Sequence, residues 1–115
     1  MDEASLRRVL NRHFGAELVA VDSADEAVEV LTREKFALVL VNRIFDRDGD
    51  EGLAFIARIK GQPELAETPM MLISNYPNFQ IKAEQLGAAP GVGKSTLSSP
   101  ESLARLGAFL SGKNE

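Results

Sequence analysis

The segment AAPGVGKST, residues 88–96, contains the residue types of a phosphate-binding loop. Ala88 in the first position and Gly93-Lys94-Ser95 at the end match the relaxed pattern of such loops. In these loops, backbone N–H groups and a lysine surround phosphate oxygens. A working loop of this kind follows a strand and opens a helix. Here a helix is predicted before the segment, and Pro100 would fall inside the helix required after it, where proline costs about 3 kcal/mol. Nucleotide binding through Ala88–Ser95 is therefore kept only as an alternative.

A second candidate site is the acidic loop NRIFDRDGDEG, residues 42–52, whose acids alternate as they do in calcium-binding loops. However, Glu51 stands where such a loop needs glycine, and Ala57 stands where it needs a bidentate acid. The pattern favours a solvated acidic loop and leaves cation binding open. Asp46 and Asp48 remain candidates for acids that act beside a neighbouring strand end.

Composition and charge restrict the class of protein. The chain has 115 residues, 44% of them apolar and 26% charged, which predicts one domain over residues 1–115 with a frayed tail at 111–115. The net charge of −4 argues against nucleic acid or an anionic membrane as partner. Cysteine is absent, which excludes disulfides and thiolate metal sites. No apolar run is long enough to span a bilayer, so we expect a cytoplasmic protein.

Predicted strands and helices alternate along the chain. Strands are predicted at residues 17–21, 36–41 (FALVLV), 70–74 (MMLIS) and, weakly, 89–93. Helices are predicted at Glu3–Phe14, after the capping residue Ser23, from Leu53 until Gly61 ends the helix, at Asn78–Leu86 with a turn at Gly87 after it, and from Pro100 after the capping residue Ser99. Continuous apolar runs such as FALVLV and MMLIS indicate strands buried on both faces. The alternation predicts an α/β fold with a parallel sheet between helical layers. Sites in such folds lie beyond the carboxyl ends of the strands.

Several of these segments resemble parts of a response-regulator receiver domain. FALVLVN is similar to the strand that ends in the phospho-accepting aspartate, TPMMLIS to the next strand, and AEQLGAAPGVGKS to the segment that leads to an invariant lysine. DEASLRRVL resembles the first helix, which follows an acidic pair. The resemblance implies a flavodoxin-like three-layer fold. It places Asn42 at the acceptor position, Ser74 and Lys94 at the hydroxyl and lysine positions, and Asp2 at the second acid.

The sequence departs from the receiver pattern in five ways. Asn42 is a neutral amide where the family has a nucleophilic carboxylate, and Met1 replaces one of the two acids that hold Mg²⁺. Gly91 replaces the usual aromatic switch residue, Ser95 replaces a proline, and the loop after Asn42 has a different sequence. We therefore expect a degenerate pocket formed by Asn42, Asp2, Ser74 and Lys94, with weakened Mg²⁺ binding, no other cofactor and no enzymatic activity.

The resemblance implies a protein-interaction module in two-component signalling, with a histidine kinase or an output domain as partner. The last helices and strand are the expected surface, and Tyr76 and Gly91 are the predicted interaction residues. An active phospho-receiver that uses Asp46 or Asp48 is the principal alternative.

Receivers begin with an apolar strand that is central in the sheet and precedes the acidic pair, whereas this chain opens at Met1-Asp2-Glu3. We expect the first strand to be missing from this chain, through truncation or through a sheet closed with four strands. Such a loss would leave backbone hydrogen-bonding groups unpaired on neighbouring strands. A homodimer or a strand-swapped assembly is a predicted consequence.

Overall fold

The computed structural model describes residues 3–21, 23–42 and 50–110, which form five helices and three strands. In chain order these are α1 (Glu3–Phe14), α2 (Ala24–Arg33), β1 (Val39–Asn42), α3 (Asp50–Lys60), β2 (Met70–Ile73), α4 (Pro77–Gln85), β3 (Ala89–Val92) and α5 (Pro100–Leu110). The sheet has the order β1-β2-β3, and both strand pairs are parallel. The predicted parallel α/β fold is confirmed.

Two apolar cores lie on opposite faces of this sheet, because successive side chains of β2 point to opposite sides. The α1–α5 core contains Leu6, Leu10, Met71, Ile73, Val92, Leu97 and Leu106. The α2–α4 core contains Ile56, Ile59, Leu65, Met70, Leu72, Ala83 and Ala88, with Val28 and Leu31 of α2 packed against it. The arrangement is three-layered, as predicted, with helices on both faces of the sheet.

The ends of several helices follow the signals in the sequence. Ser23 Oγ accepts a hydrogen bond from the Glu26 N–H at 3.1 Å and thereby satisfies one free donor of α2. Ser99 Oγ accepts from the Ser102 N–H at 3.2 Å, and α5 begins at the proline that follows Ser99. After α4 the chain turns at Gly87, whose φ of 112° favours glycine. These predicted caps and turns are confirmed.

The predicted strand at residues 17–21 is not formed. Residues 15–21 follow α1 without pairing to any described strand, and two of them bond to α1 instead: the Ala16 N–H donates to Leu10 O at 3.3 Å, and Leu18 O accepts from Arg7 Nη1 at 3.0 Å. An apolar pattern does not make a strand unless another strand offers backbone partners. The described part of the chain therefore has three strands rather than four.

The expectation that β1 is buried on both faces is also wrong. All four of its residues are half-buried, whereas all four residues of β2 are buried. The cause is position, because β2 lies between two strands, whereas β1 has only one strand neighbour among the described residues. The apolar run correctly predicts a strand but not its place at the edge of the sheet.

Within the described ranges, no helix combines the length and the apolar character needed to cross a bilayer.

Candidate functional site at the carboxyl edge of the sheet

The strand register brings three of the predicted site residues to one edge of the sheet. Asn42, the last residue of β1, pairs with Ile73, and Ile73 pairs with Val92 of β3. Ser74 therefore follows β2, and Lys94 follows β3, at the edge where Asn42 ends β1. This is where a doubly wound α/β fold places its site.

Asn42 ends β1 with a buried oxygen that has no partner. Its Oδ1 is inaccessible to solvent and accepts no hydrogen bond. A buried polar atom without a partner is uncommon, because its lost hydration is not replaced. The side chain is a neutral amide, so it lacks the charged oxygen that attacks a phosphoryl group. Asn42 thus ends a strand at the carboxyl edge of the sheet with a side chain that is a poor nucleophile.

Ser74 is buried, with 3% of its surface exposed, and its polar groups serve the local structure. Its N–H donates to Val92 O at 3.0 Å, which extends the pairing of β2 with β3 by one residue. Its Oγ accepts from the Tyr76 N–H at 3.1 Å, which fixes the turn before α4. The hydroxyl therefore links the edge of the sheet to the start of α4.

Lys94 is half-buried and forms no hydrogen bond or ion pair with another described residue. The next residue is held firmly: the Ser95 N–H and Oγ both donate to Asn75 Oδ1, at 3.1 and 3.3 Å. These two bonds tie the loop after β3 to the loop after β2. They position the backbone that carries Lys94.

The geometry of residues 88–96 does not match a phosphate-binding loop. Strand β3 occupies Ala89–Val92, inside the segment that would have to wrap around phosphate. The helix after it begins only at Pro100, so the Gly-Lys-Ser sequence does not lie at a helix N-terminus. The glycines belong to a strand and its exit.

The described residues of this edge do not form a metal site by themselves. Magnesium is held in proteins by carboxylates together with water or phosphate oxygens. Among the residues that the structure describes, no group of three His, Cys, Asp or Glu side chains could hold a metal ion. The predicted pocket residue Asp2 and the substitute acids Asp46 and Asp48 lie outside the described residues.

A cleft of about 330 Å³ lies beside this edge, between α4, β3 and α5. We call it the α4–α5 cleft; residues lining it include Asn75, Gln80, Ile81, Glu84, Gly91 and Arg105. Ile81 is 57% exposed, and so is Tyr76, which precedes α4 and packs edge-on against Phe79 with ring centroids 5.9 Å apart. The role of Tyr76 in an interaction stays a prediction. Gly91 is buried, and its role in an interaction stays a prediction.

Gln80 fastens α4 to the ends of two strands, a role that the sequence did not suggest. Its Nε2 lies 3.0 Å from Leu72 O, 3.2 Å from Ser74 O and 3.3 Å from Val92 O. Three carbonyl oxygens around one end of the amide fix its orientation, because only the NH₂ end can donate. The Oε1 end is buried without a partner.

Gly91 is the residue that gives Gln80 its space. A Cβ atom at position 91 would overlap both the Leu72 carbonyl oxygen and Gln80 Oε1. The pairing is irregular here, since the step from Met71 to Ile73 in β2 matches the longer step from Ala89 to Val92 in β3. The signal that could have revealed this contact is a glycine in a strand, which often marks a close approach.

Arg105 was also missed by sequence reasoning. Its Nη1 donates to Gly91 O at 2.6 Å, and its Nη2 bonds to Glu101 one turn earlier on α5 at 3.2 Å. Arg105 thus ties α5 to the irregular part of β3. Together with Gln80, it fixes both walls of the α4–α5 cleft to the sheet.

The comparisons with known proteins agree with this architecture. HP1043, an orphan response regulator of H. pylori, superposes with a TM-score of 0.69 over 93% of this chain and 85% of its own, at 21% sequence identity. The Mn²⁺-bound form of the response regulator Rcp1 superposes with a TM-score of 0.68 over 97% of this chain and 90% of its own, at 15% identity. The chain has the fold of a response-regulator receiver domain. No protein-family model matches it, and no curated protein matches it significantly.

The receiver fold accounts for the layers described above, including the flavodoxin-like arrangement of helices on both faces of a parallel sheet. In folds of this kind, functional sites lie beyond the carboxyl ends of the strands, which is the edge described above.

Proposed function

We propose that this chain is a degenerate response-regulator receiver that acts as a cytoplasmic protein-interaction module in two-component-type signalling and is not phosphorylated at Asn42. The observation that carries the proposal is the position of Asn42 at the carboxyl end of β1, on the same edge as Ser74 and Lys94. An amide at that position is a poor nucleophile, and a stable acyl phosphate needs a carboxylate.

The contacts of α4 support a module with one resting arrangement. Switching by phosphorylation requires a loop or helix that is released from one set of contacts and captured by another. In this chain Gln80 holds α4 to the carbonyls of Leu72, Ser74 and Val92, and a side chain larger than glycine at position 91 would collide with it. Gly91, which replaces the usual aromatic switch residue of receivers, thus leaves the space in which Gln80 holds α4 to the sheet.

The α4–α5 cleft and its rim are our candidate for the partner surface. Ile81 in the lining and Tyr76, which lies in the chain between the lining residues Asn75 and Pro77, expose apolar surface. Glu84 and Arg105 supply charges of both signs. Interfaces commonly combine aromatic or aliphatic anchors with a polar rim. We expect the partner to be a protein, with a histidine kinase or an output domain as the leading candidates, and we expect the chain to have no enzymatic activity of its own.

The first prediction concerns phosphorylation. Incubation of the chain with acetyl phosphate and Mg²⁺ should leave its intact mass unchanged, because Asn42 offers no charged oxygen to the phosphoryl group. A stoichiometric phosphoryl adduct would contradict the proposal. Peptide mapping of such an adduct to Asp46 or Asp48 would support the alternative of an active receiver that uses a substitute acid.

The matched variant for this measurement is Asn42→Asp. If only the variant acquires the adduct, the loss of phospho-acceptance is due to position 42 alone. If neither chain acquires it, the incomplete acidic pair, with Met1 in place of one acid, is also responsible.

A further inference from the structure

Strand β3 has an outer side that faces away from β2. Among the described residues the strand order is β1-β2-β3, so β3 has one strand neighbour. A strand with free N–H and C=O groups on its outer side is a template for the addition of a strand from another molecule. The residues of β3 and α5 show how this chain treats that side.

The irregular pairing of β3 decides which of its backbone groups an added strand could reach. Ala89 and Val92 are both paired with β2, and Pro90 and Gly91 lie between them, opposite a single residue of β2. The Ser74 N–H donates to Val92 O at 3.0 Å, so the backbone of Val92 is directed toward β2. Because residues at such an irregularity are left out of the regular ladder, Pro90 and Gly91 carry the groups that would serve a strand on the outer side.

Pro90 lacks one of the groups that strand addition needs. Proline has no backbone N–H, so an added strand would have no donor to bind at this position. Prolines within sheets are found on edge strands and at bulges, where the missing N–H breaks no existing pairing. Pro90 is exposed, as a residue on the outer side of β3 should be.

Arg105 occupies a second group of the same stretch. Its Nη1 donates to Gly91 O at 2.6 Å. A hydrogen bond from a guanidinium is stronger than one between neutral groups, so an added strand would have to displace a charge-assisted bond before it could use this carbonyl. Glu101, one turn earlier on α5, accepts from Nη2 at 3.2 Å and thereby orients the guanidinium.

We infer that Arg105, together with Pro90, closes the outer edge of β3 against strand addition. Arg105 is a positioning residue whose bond can be removed without altering the strand itself. The closure restricts how any protein partner binds, because the partner has to contact side chains rather than pair with the backbone of β3. It also keeps separate copies of the chain from joining edge to edge through β3.

The test replaces Arg105 by methionine, which removes both hydrogen bonds and keeps a long unbranched side chain. Light scattering after size exclusion measures the average particle mass at rising protein concentration, and circular dichroism shows that both chains are folded. The particle mass of Arg105→Met should rise about twofold or more above that of the natural chain, since two joined edges already make a pair. Equal masses for the two folded chains at every concentration overturn the inference.

Glu101→Gln is the matched control, because it changes a charge on α5 and leaves the bond from Arg105 to Gly91 O in place. The natural net charge of −4 becomes −5 when one positive charge is lost in Arg105→Met, and −3 when one negative charge is lost in Glu101→Gln. If charge repulsion alone kept the chains apart, only the control would associate. The closure of β3 predicts the reverse order, and association of the control to the same or a greater extent overturns it.

The α4–α5 cleft is the other place at which the loss of Arg105 could create a contact, since Arg105 lines it. The double variant Arg105→Met/Ile81→Ser removes from that cleft a side chain that is 57% exposed. It should associate as strongly as Arg105→Met. A double variant with the particle mass of the natural chain would place the contact in the cleft and overturn the closure of β3.

NMR of the natural chain keeps the inference testable if Arg105→Met fails to fold. A guanidinium held by Gly91 O and Glu101 rotates slowly, so the Nη1 and Nη2 protons of Arg105 should give separate signals that exchange slowly with water. Separate signals support the closure. A single averaged signal in rapid exchange with water would show that the bond to Gly91 O is not held in solution, and the inference would be wrong.

Discussion

β1 and β2 are neighbouring parallel strands of four residues, VLVN and MMLI, with similar apolar character and very different surroundings. Each residue of β2 is almost fully buried, with Leu72 and Ile73 at 0% exposure, whereas each residue of β1 is half-buried. β2 has a strand on each side, and Gln80 covers its carboxyl end. Among the described residues, β1 has one strand neighbour, and its outer side is not paired with any strand.

The comparison teaches that burial of a strand is a property of its neighbours. Apolar side chains of either strand would lose the same contact with water if they were equally covered. The degree to which they are covered depends on sheet order, which the strand's own sequence does not encode. Variants in the two strands therefore measure the effect of position with little difference in chemistry.

The largest difference is expected between two leucines. Leu72→Ala should lower the free energy of unfolding by about 2–5 kcal/mol, because it leaves a cavity in a fully packed core. Leu40→Ala removes the same atoms from a half-buried site and should cost about half as much or less. Urea denaturation of both variants in dilute solution makes the comparison. Equal losses of unfolding free energy would mean that β1 is as well covered as β2, and the proposed difference between the two strands would be wrong.

A smaller effect is expected at the junction of β2 and β3. Gly91→Ala should destabilise the chain by about 1–3 kcal/mol, since the added methyl group overlaps the Leu72 carbonyl and Gln80 Oε1. Thermal unfolding measures the loss. The double variant Gln80→Ala/Gly91→Ala keeps the clash with the backbone and removes the one with the side chain.

The double variant should therefore be more stable than the sum of the two single losses predicts, since Gln80 and Gly91 are in contact. Strict additivity would show that Gln80 does not compete with a side chain at position 91.

The last comparison of β1 with β2 uses the unmodified chain and measures hydrogen exchange. In dilute solution the amide of Ile73 should exchange with solvent only through global unfolding, because it lies in the ladder between β2 and β1. The amide of Leu40 should exchange much faster, since it points away from β2. Hydrogen exchange followed by NMR resolves the two residues. Similar protection at both amides in a monomeric sample would indicate that the outer side of β1 is covered.

Local signals in the sequence predicted much of the fold. The apolar spacing of α1, the caps Ser23 and Ser99 and the fully apolar MMLI run each depend on neighbours within a few residues, and the structure forms them as expected. The edge location of Asn42, Ser74 and Lys94 was also predictable, since each follows a strand of a parallel sheet.

Other features required contacts that are distant in the chain. The segment 17–21 has the composition of a strand and forms none, because no strand pairs with it. In the sequence, Gln80 is an ordinary polar residue on a helix. It can donate hydrogen bonds to the carbonyls of Leu72 and Val92 only because α4 packs beside the ends of their strands. The same holds for Arg105, whose partner Gly91 lies 14 residues away.

The sequence by itself determined the alternation of strands and helices, the receiver-like order of the segments and the amide at position 42. Those properties follow from residue type and local spacing, which fix backbone preference and side-chain chemistry before any packing occurs. Only the tertiary structure decided that β1 has one strand neighbour among the described residues and that the Gln80 side chain occupies the space that a side chain at position 91 would need. Both depend on which surfaces meet, and a strand can be paired or a side chain covered only by residues brought to it from elsewhere in the chain.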